Sequence, residues 1–173
     1  IAFAAVKKGD RVGLLLFTDR VERYVPPRKG ANHALRIVRN LLAFEPPEEH
    51  RGTDLSIACR HLLLTQRRRA VVFVVSDFLG EDPETSLGTL VGRHDVVALD
   101  ISDPRETELV PAGVMTLTDP ESGREVELDT SSARVRTAYR DTVERLMARK
   151  DGGLARLGVE ADRLVGQPLG SVV

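Results

Sequence analysis

The chain has 173 residues, with 25 Lys plus Arg against 26 Asp plus Glu and a formal net charge of -1. That length suits one domain of ordinary size, read as a single unit over 1–173, and the charge balance gives no electrostatic case for nucleic acid or an anionic membrane. The single cysteine, Cys59, excludes an internal disulfide and a Cys-rich zinc site, and no apolar run approaches the roughly 20 residues of a membrane span, so a cytoplasmic segment without membrane contact is expected.

In chain order, IAFAAVKKGD reads as the last turns of a helix, with Lys7 and Lys8 near the carbonyl end and Gly9 as the stop. The chain is therefore expected to begin inside an element, as an excerpt of a longer protein. RVGLLLF (11–17) is a near-continuous apolar run, the pattern of a central strand covered on both faces. VERYV (21–25) alternates and is cut off by Pro26 and Pro27, which predicts an antiparallel edge partner. Ala34, Leu35, Ile37, Val38, Leu41 and Leu42 recur at helical spacing between Gly30 and Phe44. A second helix starts at Thr53 or Asp54 as N-cap and runs through Leu55, Ala58, Cys59, Leu62 and Leu63.

After Arg67, Arg68 and Arg69, read as a solvated loop, VVFVVSDFLG (71–80) predicts a buried strand that stops on Asp77. A helix or helical turn within PETSLGTLVGR and a further buried strand, DVVALDIS (95–102), complete a parallel crossover. MTLTDPESGREVEL predicts a surface hairpin inserted at about 114–128. Ser131 to Lys150 carries Val135, Ala138, Tyr139, Thr142, Val143, Leu146 and Met147 on one face of a third helix, which extends past Gly152 and Gly153 or breaks there. VEADRLV (159–165) closes the sheet as an edge strand.

Assembled, these elements predict a three-layer α/β sandwich, mostly parallel with one antiparallel edge. Ligands of such sheets bind beyond the carboxyl ends of the strands. An unpaired carboxylate is costly to bury, so Asp77 belongs on that rim, with Asp100 and Asp103 flanking the end of the next strand. Gly52-Thr53-Asp54, Ser76-Asp77 and the Asp103–Glu106 segment together offer hydroxyl and carboxylate oxygens, a set matched to Mg²⁺ or Mn²⁺ rather than zinc.

GDRVGLLLFTD, RGTDL and VVFVVSDF, in that order, resemble the von Willebrand factor type A fold. Its metal-ion-dependent adhesion site combines an Asp-x-Ser-x-Ser loop, a later Thr and a later Asp. The resemblance implies that Thr53 matches that threonine and Asp77 that aspartate. Pro26, Pro27 and Gly30, then RGTDL, SDF, DPRETEL, DPESG and LDT, resemble more narrowly the bacterial domain of unknown function 58 family, over nearly the whole chain. That resemblance implies a non-enzymatic adaptor or chaperone-like partner of a MoxR-type AAA+ ATPase. No Asp-x-Ser-x-Ser precedes Gly9. The first strand and the main metal loop of the family pattern are thus missing, so Mg²⁺ binding by this segment is expected to be weak or absent, and self-association through open strand edges is expected.

Blander roles stand beside these. Thr53 is also a natural helix N-cap, Asp77 a cap for the turn that follows, and Asp100 and Asp103 turn formers. Arg105 and Glu106 are read as locking their loop, and Cys59 as inert core. His33, His50, His61 and His94 have no metal-ligand spacing. The competing function is a Mg²⁺-dependent phosphotransfer or phosphatase-like enzyme with Asp77 as nucleophile, which needs further acids and a phosphate-holding lysine.

Overall fold

A computed structural model describes residues 1–45, 52–79, 82–102, 107–118 and 125–165. The chain divides into two compact units, Ile1–His61 and Leu62–Val173. The predicted residues Asp103, Arg105 and Glu106, the turn at 119–123 and His50 lie outside the described residues.

In the first unit, α1 (Ala2–Lys7) ends as the sequence predicts. Gly9 adopts φ 74°, its N–H donates to the Val6 carbonyl, and the Asp10 N–H donates to the Ala5 carbonyl. This paired arrangement satisfies carbonyls that a helix end otherwise leaves open. β1 (Val12–Phe17) and β2 (Val21–Arg28) form an antiparallel hairpin. Among the described residues β2 is the only strand paired with β1, so the expected central strand is an edge of a two-stranded sheet. An apolar run reports burial of its faces and carries no count of its partners.

β2 also runs through Pro26 and Pro27 instead of stopping before them. A strand with an outer edge can hold prolines where no ladder donor is needed. The register slips between Val12 and Leu14, which pair with Arg28 and Val25. Gly13 makes that possible, because a Cβ there would lie 2.9 Å from the Val25 carbonyl oxygen and 3.1 Å from Pro27 Cγ. α2 (Ala31–Leu42) packs on α1 and β1 and buries Ala34 and Ile37, while Leu35, Leu41 and Leu42 of the predicted stripe are exposed. α3 (Leu55–Thr65) buries Leu55, Ala58 and Cys59.

The second unit is built on a parallel sheet of β3 (Val71–Ser76), β4 (Asp95–Ser102) and β7 (Glu160–Val165), with β4 in the middle. Val71 pairs with Asp95 and Ser76 with Asp100, while β7 adds as the predicted edge. α4 (Pro83–Val91) follows Asp82 with proline in its first turn, where a missing N–H costs no helical bond. It packs on β4 and on α5 (Ala133–Arg156). Val74, Leu87, Leu90, Val96, Ala98 and Leu154 are buried in this unit. Full burial of Leu87 and Leu90 contributes about 1.5–3 kcal/mol each.

Covering is one-sided, however: Val71, Phe73 and Val75 of β3 are exposed, so the strand is less buried than its apolar run predicts. β5 (Val114–Thr118) and β6 (Glu125–Asp129) form the expected antiparallel hairpin. Buried Thr130 ties its base, donating to the Gly113 carbonyl and accepting from the Ala112 N–H. α5 continues through Gly152 and Gly153 and stops at Gly158, where φ is 65° and the paired bonds seen at Gly9 recur, to the Ala155 and Leu154 carbonyls.

Candidate functional site

Among the described residues of the second unit, the carboxyl end of β3 holds the one non-glycine residue with positive φ. Phe78, directly after Asp77, has φ 53° yet is 2% exposed. A left-handed conformation at a bulky non-glycine residue is strained and persists only where surrounding contacts over-determine it. The contacts are present. Ser76 Oγ accepts from the Phe78 N–H at 3.0 Å, and Asp77 Oδ1 accepts from the Leu79 N–H at 3.1 Å. The buried phenyl ring anchors the turn, and the Asp77 carboxylate is left exposed, with Oδ2 free of hydrogen-bond partners among the described residues.

Beneath the turn lies a buried ion pair. Lys150 Nζ donates to Asp100 Oδ1 at 2.8 Å and Oδ2 at 2.9 Å, and to the backbone carbonyl of Asp77 at 3.1 Å. Those three bonds use all the donors an ammonium has. Both side chains are almost fully buried. Asp100 is thus neither a turn former nor a free rim acid. It sits inside β4, on the face of Val96 and Ala98, and its charge is compensated by a helix cation. The alternation of DVVALDIS already places Asp100 in register with those two residues. The sequence reading missed Lys150 altogether, although it continues the stripe Val143, Met147, Lys150, Leu154 at helical spacing.

In the first unit, Asp54 Oδ1 accepts from the Ser56 N–H at 2.9 Å and from Ser56 Oγ at 2.6 Å, so Asp54 is the N-cap of α3. The alternative capping role of Thr53 is thereby removed. Thr53 is exposed, and its hydroxyl makes no hydrogen bond among the described residues. Gly52, at φ 87°, turns the chain just before it, and the Asp54 N–H donates to the Thr18 carbonyl at 3.0 Å, which holds this turn at the carboxyl end of β1. Thr53 and Asp77 each follow the pattern of a polar group presented where a strand ends, one in each unit.

Residues 1–149 match the family described as Protein of unknown function DUF58. The chain belongs to that family. Its relatives include an uncharacterized protein of Mycobacterium tuberculosis, 33% identical over 171 residues that cover 94% of this chain and 53% of the relative. An uncharacterized protein of Mycobacterium avium is 33% identical over 147 residues, covering 80% of this chain and 85% of the relative. The chain spans about half the length of the first of these curated relatives. Among solved structures, the conserved hypothetical protein BatB from Bacteroides thetaiotaomicron aligns with a TM-score of 0.53 at 11% identity, over 96% of this chain and 78% of that one. That likeness is one of fold. Thr53 and Asp77 of this DUF58 chain fall within the family match, and Lys150 lies one residue beyond it.

The oxygen donors can be weighed directly against a divalent cation. Thr53 and Asp77 are hard-oxygen groups left accessible by their turns, which suits Mg²⁺ or Mn²⁺ in kind. They fall short in number: among the described residues no three His, Cys, Asp or Glu side chains gather where one ion could join them. Asp100 cannot serve while Lys150 holds both of its oxygens. Among the described residues no helix is long and apolar enough to cross a membrane.

Proposed function

We propose that this DUF58 chain is part of a non-enzymatic, von Willebrand factor A-like interaction module, a three-layer α/β sandwich in the whole protein, in which Asp77 supplies an oxygen ligand to a divalent cation. The observation that carries this reading is the turn after β3: a buried Phe78 held at φ 53° keeps an exposed carboxylate in one place. A Mg²⁺ or Mn²⁺ ion held by neutral hydroxyls and few anions retains Lewis acidity, and its chemistry is to take a carboxylate from a partner protein as a further ligand.

The partner we propose is a MoxR-type AAA+ ATPase, with the module acting as adaptor. The phosphotransfer alternative draws no support from Lys150, whose three donors are already committed to Asp100 and the Asp77 carbonyl. The test is capture of the cognate MoxR-type ATPase by the intact protein, in Mg²⁺ and after chelation by EDTA. Capture should weaken on chelation, and equally in Asp77→Ala. Capture indifferent to both EDTA and Asp77→Ala refutes the reading.

A further inference from the structure

We infer that Lys150 is a positioning residue for the Asp77 carboxylate, acting through the Asp77 backbone carbonyl, and that Asp100 serves to aim it. The inference rests on the reading of Asp77 as the exposed ligand of the rim and adds what holds it there.

A salt bridge between α5 and β4 needs only the carboxylate of Asp100. Lys150 does more, since its remaining N–H reaches past that carboxylate to the carbonyl of the residue that turns away from β3. Asp100 pairs in register with Ser76, the last residue of β3, so the ammonium lies beneath the start of the turn. With the Asp77 carbonyl fixed, the chain reverses at Phe78, whose φ of 53° places its ring in the core. The Leu79 N–H then closes on Asp77 Oδ1 and sets the direction of the carboxylate. Each step depends on the one before it. The strained φ at Phe78 is held by the ring's burial, by the Ser76 and Asp77 side-chain bonds across the turn and by the clamp on the preceding carbonyl, and Lys150 supplies that clamp.

Two variants separate positioning from plain structural support. Lys150→Met leaves Asp100 buried without its cation and can fail to fold for that reason alone. Asp100→Asn with Lys150→Met removes the buried charges together, keeps the packing volume close, and still deletes the contact to the Asp77 carbonyl. The readout is NMR of the 173-residue chain. A positive φ at Phe78 gives a strong intraresidue amide-to-Hα NOE, and the Leu79 amide shift reports its bond to Asp77. Loss of both signals in the double variant, with slow amide exchange retained across β3 and β4, is the expected result. Retention of both signals in the double variant overturns the inference. The reading of Asp77 as a ligand is tested apart from this, by Mn²⁺ broadening of the Leu79 amide in the unmodified chain against Asp77→Ala. Either result can fail without the other.

Discussion

Lys150→Met should be among the most damaging single changes in the second unit. Lys150 and Asp100 are almost completely buried, and both carboxylate oxygens bond the ammonium, at 2.8 and 2.9 Å. Removing one partner of such a pair costs about 3–5 kcal/mol, because a buried charge is left uncompensated. That is a large share of the roughly 5–15 kcal/mol that holds a domain folded. Replacing both, as Asp100→Asn with Lys150→Met, removes the desolvation penalty along with the attraction and should cost less than either single change. Urea unfolding of the four proteins, followed by circular dichroism, closes a double-mutant cycle. A coupling energy of at least about 2 kcal/mol is expected, as for other contacting residues. A cost below about 1 kcal/mol for Lys150→Met, the range of solvent-exposed pairs, would refute the buried ion pair.

Three further outcomes follow from other parts of the chain. Asp54→Ala should lower stability by about 1 kcal/mol through loss of the α3 cap, while Thr53→Ala should stay within about 0.5 kcal/mol, which denaturant midpoints will resolve. Gly158→Ala should cost about 1–2 kcal/mol, since φ is 65° there, and its effect should appear as a lowered melting temperature. His94 is buried with neither ring nitrogen hydrogen-bonded among the described residues, and burial, then the charges of Arg93 and Arg69, hold its pKa below the usual imidazole range against the opposing pull of Asp95. The unfolded chain therefore binds the proton more readily. Stability should be full above pH of about 6.5 and fall on acidification, by at most about 1.4 kcal/mol per pH unit from this group, and His94→Gln should flatten that slope.

Much of the element plan could be read from local pattern. DVVALDIS became β4 over the predicted residues, and the hairpin at β5 and β6 followed from alternation on either side of DPESG. Lys7, Lys8 and Gly9 ended α1 as a helix terminus should. Pairing was less legible, because RVGLLLF and VVFVVS record how apolar a strand is and not how many neighbours it has. The exposed Val71, Phe73 and Val75 show the consequence.

At the site, Asp77 was legible as a rim acid from the cost of burying it. Asp100 was misread because a carboxylate near a strand end looks like a turn residue until its partner, 50 positions away, is known. Lys150 carried a local signal, a charge on an apolar stripe, but only tertiary contact gives that signal a meaning. Phe78 gave none, since no propensity assigns a left-handed backbone to an aromatic residue.

The proposal that Asp77 is an exposed cation ligand is tested most directly by a Mn²⁺ titration of the ¹⁵N-labelled chain. Weak, saturable paramagnetic broadening centred on the amides of Asp77 to Leu79, lost in Asp77→Ala, is the predicted result. Broadening spread over surface carboxylates such as Glu125 and Glu127, and unchanged in Asp77→Ala, would contradict it.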